Sequence, residues 1–210
     1  MAPDLSTDTT PLQRICGFCG ASAGRRTDYT QTATALGTLI ATQGLELVYG
    51  GGNVGLMGIV ADACLTAGGQ VTGVIPEALV GREFEGERID HSAVSRLEIV
   101  DSMHARKARM AALADGFIAL PGGFGTFEEL FEILTWGQLG FHRKPIGVLD
   151  VAGYFAPLLT LCDHAVAEGF LRPDNRSMLL ADTCPASLLA RMRAYQPPDI
   201  RVWLSTERAL

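Results

Sequence analysis

The chain has 210 residues, of which 48% are hydrophobic and 19% are charged, and its formal net charge at pH 7 is −6. This is enough for one domain with a sizeable core, and the acidic balance argues against a nucleic-acid-binding surface. Because the chain has no apolar run of about 18 residues, and residues 1–13 lack the features of a signal peptide, we expect a cytoplasmic protein that does not span a membrane.

Strands and helices are predicted to alternate along most of the chain. Apolar runs predict strands at 15–19, 45–49, 69–75, 97–100, 116–120, 146–149 and 178–181. Amphipathic runs predict helices at 29–42, from about 58 to 67, 103–114, 130–136, 155–168 and 186–193. This alternation predicts an α/β fold: a single Rossmann-like, doubly wound domain whose mainly parallel sheet is flanked by helices.

The predicted domain covers residues 14–193. Residues 1–13 are interpreted as a disordered lead-in and residues 194–210 as a C-terminal tail. Within the domain, the pattern breaks down between residues 76 and 96, where charged side chains crowd together. We expect a mobile, partly exposed segment there.

The sequence PGGFGTFEE at residues 121–129 joins a predicted strand to a predicted helix. A glycine-rich turn in that position lets backbone N–H groups approach an anion, and the helix N-terminus adds a partial positive charge. The stretch therefore predicts a phosphate-binding turn.

A second glycine-rich turn, GGGNVGLMG, occupies residues 50–58. Its spacing matches a dinucleotide-binding turn only loosely, no acidic residue follows at the expected distance, and neither turn continues as Gly-Lys-Ser/Thr. We therefore expect no nicotinamide cofactor. At Gly51 and Gly52 two interpretations stay open, direct contact with a ligand or a tight turn that packs closely on a helix.

Thr126 and Glu129 have two interpretations. Thr-x-x-Glu is the pattern of a capping box, which stabilises a helix by about 1 kcal/mol and needs no ligand. Alternatively, Glu129 is a catalytic carboxylate beside the phosphate-binding turn.

The helix predicted from Met103 carries the sequence MHARKARM. Arg106 and Arg109 are three residues apart and are expected to share a face, with Lys107 pointing elsewhere. The cluster is either a solvated basic face or a source of guanidinium groups that bind a phosphate or carboxylate. His104 alone does not indicate a catalytic base.

The cysteines do not predict a metal site. Cys16 and Cys19 form C-x-x-C, but no second pair follows at zinc spacing, and residues three apart on a strand point to opposite faces. Cys64, Cys162 and Cys184 are expected to be packed thiols.

Taken together, these motifs resemble the Lonely Guy (LOG) family of cytokinin riboside 5′-monophosphate phosphoribohydrolases, once labelled lysine decarboxylases. PGGFGTFEE, GGGNVGLMG and MHARK carry the resemblance, with FCGASAG, TWGQLGFHRKPIG and AVAEGFL. It extends from about residue 15 to residue 189.

The resemblance implies hydrolysis of the N-glycosidic bond of a nucleoside 5′-monophosphate, such as AMP or an N6-modified AMP, without a cofactor or metal. It implies that Arg106 and Glu129 are catalytic. It implies that the substrate is bound by Glu83, Lys107 and the turn residues Gly122, Gly123, Phe124, Gly125, Thr126, Phe127 and Glu128. The stretch between Glu83 and Met103 is several residues longer than the family pattern.

The family also implies a homodimer. The alternative function is a non-catalytic nucleotide or cofactor carrier with the same fold. A pyridoxal-phosphate decarboxylase is disfavoured because the only lysines, Lys107 and Lys144, lack the context of a Schiff-base site.

Overall fold

A computed structural model describes residues 11–80, 83–84, 87–88 and 94–199. Its strands are β1 Arg14–Phe18, β2 Glu46–Tyr49, β3 Gln70–Pro76, β4 Glu83–Phe84, β5 Glu87–Arg88, β6 Arg96–Val100, β7 Gly116–Ala119, β8 Ile146–Leu149 and β9 Leu179–Asp182. Its α-helices are α1 Thr27–Thr42, α2 Gly55–Thr66, α3 Met103–Leu113, α4 Phe124–Leu139, α5 Ala156–Ala167, α6 Pro173–Ser177 and α7 Pro185–Arg193. Short 3₁₀ turns lie at Glu77–Leu79 and Val151–Gly153.

Seven strands form one sheet in the order β6-β3-β2-β1-β7-β8-β9, and every neighbouring pair is parallel. This confirms the predicted doubly wound α/β fold. The chain builds outward from β1 in one direction and then returns to build outward from β7. The crevice at the carboxyl ends of β1 and β7 is therefore the topological switch point, where such folds bind ligands.

The core lies on both faces of the sheet, and β1 shows how the sequence divides between them. Ile15 and Cys19 belong to one buried cluster, whereas Cys16 and Phe18 belong to the other. The two cysteines of C-x-x-C thus face opposite layers, as the strand period requires. Cys64 and Cys162 are buried as expected, but the prediction for Cys184 was wrong, because that residue is exposed where α7 begins.

The first helix starts earlier than expected. Arg26, rather than Asp28, occupies the N-cap position, and Asp28 lies in the first turn, where it accepts a hydrogen bond from the Arg26 Nε at 2.9 Å. From that position the negative charge of Asp28 still interacts favourably with the positive end of the helix dipole.

The segment between β3 and β6 contains the Glu77–Leu79 turn and the short antiparallel pair β4–β5, neither of which was predicted. Helix α6 was also not predicted. Most of the charged stretch lies outside the described residues, as do residues 1–10 of the expected lead-in and residues 200–210 of the expected tail. Within the described part of the chain, no helix has the length and hydropathy to cross a bilayer.

Candidate functional site

The candidate site lies where β1, β2 and β7 end, at the switch point of the sheet. Gly20, just after β1, donates its backbone N–H to the Pro121 carbonyl oxygen at 3.0 Å, and its own carbonyl accepts from Leu56 N–H at 3.0 Å. These bonds connect the ends of β1 and β7 with the start of α2. The two glycine-rich turns therefore lie at the same edge of the sheet.

The phosphate-binding turn is shorter than the sequence predicts. Helix α4 begins at Phe124 with Gly123 as its N-cap, so Phe124, Gly125, Thr126 and Glu128 all lie within the helix. The first backbone N–H groups of a helix have no partner within it and are available to an anion. The predicted binding residues thus form a helix N-terminus rather than an extended loop.

Gly122 is required by the close approach of its neighbours. A Cβ atom at this position would lie 2.1 Å from the Thr126 Oγ1 and 2.7 Å from the backbone nitrogen of Gly20. At Gly123 and Gly125, by contrast, a Cβ would meet no atom within 4 Å. The turn is therefore packed at Gly122 and open at Gly123 and Gly125.

The capping-box interpretation was wrong. Because the helix begins at Phe124, Thr126 is its third residue and is buried, and no side chain caps the helix. Glu129 lies a turn too far along to reach the N-cap, and its carboxylate instead accepts a hydrogen bond from Arg106. The carboxylate is therefore not occupied by helix capping.

Arg106 and Glu129 form a largely buried ion pair between α3 and α4. The Arg106 Nη2 lies 3.0 Å from the Glu129 Oε1, and each side chain is only 12% exposed. A Cβ on Gly50, just after β2, would lie 2.2 Å from the same Nη2. A glycine at the end of β2 thus makes room for the guanidinium group.

The Nε of Arg106 is buried and finds no acceptor among the described residues. Buried donors in native proteins are nearly always paired, and leaving one unpaired costs about 1–3 kcal/mol. Such a donor is a candidate contact for an oxygen atom of a ligand.

Burial raises the pKa of Glu129 to about 7, because the charged Arg106 only partly offsets the loss of solvent and the neighbouring Glu128 adds to the rise. A carboxyl group with this pKa exchanges its proton near neutral pH. Perturbed carboxyl groups of this kind are typical of general acid–base sites.

The expectation that Lys107 points away from Arg106 was wrong, because both side chains reach α4. The Lys107 ammonium group contacts the carboxylates of Glu128 and Glu132, the latter at 3.0 Å. Although burial opposes its charge, these two hydrogen bonds raise the pKa of Lys107 above its usual value. Lys107 therefore links α3 to α4 in this structure.

The prediction that Arg106 and Arg109 share a face was wrong. Arg109 binds Glu98 of β6 through two hydrogen bonds, of 2.5 and 3.0 Å, whereas Arg106 binds Glu129 of α4. Residues three apart on a helix differ by about 60° in direction, so two long side chains can reach different neighbours.

Three other predicted binding residues stay predictions. Gly51 has a φ of +78°, and a Cβ on Gly52 would lie 3.1 Å from the Met57 Cε, which fits a tight turn at the end of β2. Glu83 pairs with Arg88 in the β4–β5 ladder, but its side chain lies outside the described residues.

Within the described residues, no group of three or more His, Cys, Asp or Glu side chains could hold a metal ion.

Sequence reasoning missed Tyr154, whose hydroxyl group donates a hydrogen bond to the Gly122 carbonyl oxygen. The two residues are 32 positions apart and come from different strand–helix units. No local pattern identifies such a contact, because it depends on the packing of the loop after β8 against the turn after β7.

Similar proteins were found by sequence. A family model described as "Possible lysine decarboxylase" matches residues 57–192. The cytokinin riboside 5′-monophosphate phosphoribohydrolase LOG1 of Arabidopsis thaliana is 46% identical over 191 residues, which cover 91% of this chain and 87% of the relative. The cytokinin riboside 5′-monophosphate phosphoribohydrolase LOG of Oryza sativa subsp. japonica is 45% identical over 186 residues, which cover 89% of this chain and 75% of the relative.

Similar solved structures share the fold at lower identity. The molybdenum cofactor binding protein of Rippkaea orientalis is 22% identical with a TM-score of 0.62, covering 87% of this chain and 96% of that one. The molybdenum cofactor carrier protein of Chlamydomonas reinhardtii is 21% identical with a TM-score of 0.64, covering 88% and 99%, respectively.

The lysines do not fit the decarboxylase description of the family model. A pyridoxal-phosphate enzyme needs a lysine amine that can form a Schiff base. Lys107 is bound by two carboxylates, and the ammonium group of Lys144 donates to the Ala111 carbonyl oxygen at 2.7 Å. Neither lysine amine of the chain is thus unpaired in this structure, and substrate binding by Lys107 stays a prediction.

Proposed function

Because this chain belongs to the LOG family of cytokinin riboside 5′-monophosphate phosphoribohydrolases, we propose that it hydrolyses the N-glycosidic bond of a nucleoside 5′-monophosphate. The products are the free base and ribose 5-phosphate. The observation that carries this proposal is the buried Arg106–Glu129 pair beside the open N-terminus of α4.

The N-terminus of α4 suits the 5′-phosphate. Its first N–H groups and its partial positive charge favour an anion. Glu129 lies five residues beyond Phe124 on the same helix, which corresponds to an axial rise of about 7.5 Å. Anchoring the phosphate at the helix end thus holds the ribose near the carboxyl group and converts binding into orientation.

Glu129 is the proposed catalytic carboxylate. Cleavage of a glycosidic bond develops positive charge on the ribose, and a carboxylate next to the sugar stabilises that oxocarbenium-like transition state. With a pKa of about 7, Glu129 also accepts a proton from the attacking water more readily than an ordinary carboxylate does.

Arg106 is proposed to orient the substrate and Glu129. A guanidinium group is a planar cation with five N–H donors, so it suits orientation of oxygen atoms. Its Nη2 is bonded to Glu129, and the buried Nε remains available to a ribose or phosphate oxygen. Two charge-assisted hydrogen bonds from one planar group would fix the carboxylate relative to the sugar.

The test is to incubate the protein with AMP and N6-modified AMP and to measure released base and ribose 5-phosphate by chromatography. Glu129→Gln and Arg106→Ala are expected to lower kcat at least about 100-fold in proteins that remain folded at the assay temperature, as circular dichroism would show. The matched controls are Glu98→Gln and Arg109→Ala, which break the ion pair between α3 and β6 and should retain activity. Full activity in Glu129→Gln would refute the catalytic assignment.

The same assay distinguishes a hydrolase from the alternative, a non-catalytic carrier. A nucleotide carrier would bind AMP without releasing adenine, and the two catalytic-site variants would then change affinity but no rate. A panel of nucleoside monophosphates, compared by kcat/KM, identifies the preferred base.

We also propose that the protein is a cytoplasmic homodimer that does not bind nucleic acid. The exposed aromatic side chains of α4, Phe124 at 92% and Phe131 at 42%, support a protein-contact surface on this helix. Light scattering of the purified protein tests the dimer, and a monomeric mass would contradict it.

A further inference from the structure

The hydrogen bond between Tyr154 and Gly122 determines the direction of one peptide group in the phosphate-binding turn. The peptide that joins Gly122 to Gly123 is planar and trans, so its C=O and N–H point in opposite directions. Because the Tyr154 hydroxyl holds the carbonyl oxygen, the Gly123 N–H is directed away from Tyr154. The outer side of Gly123 is open, since no atom lies within 4 Å of a Cβ built there.

The ring of Tyr154 is held by other aromatic side chains. It makes edge contacts with Tyr29 and Phe155, with ring centroids 6.0 and 5.1 Å apart, and it stacks on Phe127 at 6.4 Å. Phe127 belongs to the first two turns of α4. The hydroxyl group is therefore placed by packing against the same helix whose N-terminus it orients.

The backbone before Tyr154 adopts an unusual conformation. Ala152 has φ 52° and ψ 31°, the left-handed region that a residue with a Cβ rarely occupies, and Gly153 follows with φ 76°. The loop is fixed at both ends, because Asp150 accepts the Phe155 N–H at 2.6 Å and donates its own N–H to the Asp182 carbonyl oxygen at 2.9 Å. Strain of this kind persists where the surrounding structure enforces it, and it concentrates at functional sites.

We propose that Tyr154 is a positioning residue for phosphate binding, which holds the Gly122–Gly123 peptide with its N–H directed at the 5′-phosphate. The proposal rests on the proposed function for the identity of the substrate. Because the Tyr154 hydroxyl is bonded to the backbone of the turn, its contribution is to affinity for the phosphate group rather than to cleavage of the glycosidic bond.

The test variant is Tyr154→Phe, which keeps the ring and its packing and removes only the hydroxyl group. Without the hydroxyl group, the Gly122–Gly123 peptide group is no longer held in one direction. The loss of one hydrogen bond of this kind corresponds to about a fivefold to tenfold loss of affinity for phosphate. We expect KM for AMP to rise by that factor, kcat to change less than twofold, and the affinities for ribose 5-phosphate and inorganic phosphate to fall by the same factor as KM rises. Adenosine, which lacks the phosphate, should bind both proteins equally.

Tyr195→Phe is the control, because it removes the hydroxyl of a partly buried tyrosine that follows α7 and lies outside the site. It should leave all of these constants unchanged. A change in kcat without a change in phosphate affinity, or equal phosphate affinity in Tyr154→Phe and the wild type, would overturn the proposal. A loss of adenosine affinity equal to that of AMP would also overturn it, since it would indicate general damage to the site.

The titration with inorganic phosphate keeps this result separate from the proposed function. If the wild type releases no base from any nucleotide, the hydrolase proposal fails, yet weaker phosphate binding by Tyr154→Phe still supports the positioning role. If the wild type binds no phosphate, the positioning role fails whatever the outcome of the base-release assay.

Discussion

The raised pKa of Glu129 should make the stability of the folded protein depend on pH, and Glu129→Gln should remove that dependence. In the unfolded chain, this carboxyl group titrates near its usual value of 4.5, whereas in the folded protein its pKa is about 7. Below pH 4.5 the group is protonated in both states and has no effect. As the pH rises towards 7 and above, the unfolded state ionises more readily than the folded state, so stability is lost.

The magnitude follows from the pKa difference. Each pH unit between the two values corresponds to about 1.4 kcal/mol, so the wild type should lose about 3 kcal/mol relative to Glu129→Gln between pH 4.5 and pH 8. The side chain is 12% exposed, so screening by solvent removes little of this effect. The loss of charge opposite Arg106 in the variant adds an offset that is nearly constant with pH and does not alter the difference in slope.

The assay is urea unfolding of the wild type and Glu129→Gln at half-unit pH steps, without substrate. Absence of substrate matters because phosphate groups also titrate near pH 6. Contributions from all other groups occur in both proteins and cancel in the difference. Glu98→Gln is the control: Arg109 holds the pKa of Glu98 below its usual value, so above pH 5 this variant should remain parallel to the wild type. Parallel curves for Glu129→Gln would refute the reasoning.

Three other substitutions have expected outcomes. Burial lowers the pKa of His142 to about 4, so stability should be lost as pH falls from 6.5 towards 4, and urea unfolding of His142→Gln should not show that loss. Gly50→Ala should displace the Arg106 guanidinium group, and we expect the rate of base release to fall at least about tenfold in a protein that still unfolds cooperatively; wild-type kcat would contradict the steric argument. Ala152→Gly should relieve the left-handed strain and stabilise the protein by up to about 1 kcal/mol in urea unfolding, and a clear loss of stability would show that the strain is absent.

The sheet and its binding edge were predictable because their signals are local. Buried parallel strands are continuous apolar runs, and each of the seven strands in the main sheet was predicted within one or two residues. Gly122 and Gly123 were correctly placed between a strand and a helix, and their role in binding phosphate stays a prediction. The two-residue strands β4 and β5 are too short to produce a pattern.

The contacts of the predicted site residues could not be predicted from the sequence. The capping-box interpretation of Thr126 and Glu129 failed because it depended on where α4 begins, and helix boundaries are the least certain feature of a sequence prediction. The directions of Arg106 and Arg109 were decided by acceptors on other elements. Tyr154 was missed for the same reason, since its acceptor is 32 residues away.

The phosphate-binding turn and Glu129 share one rigid body, helix α4, while Arg106 belongs to another, helix α3. The distance from the N-terminus of α4 to Glu129 is therefore set by helical geometry. The position of Arg106 relative to Glu129 depends on how α3 packs against α4. The contacts of Lys107 with Glu128 and Glu132 restrain that packing. Alignment of the Arg106 guanidinium group thus depends on the two ion pairs of Lys107, the next residue in the sequence.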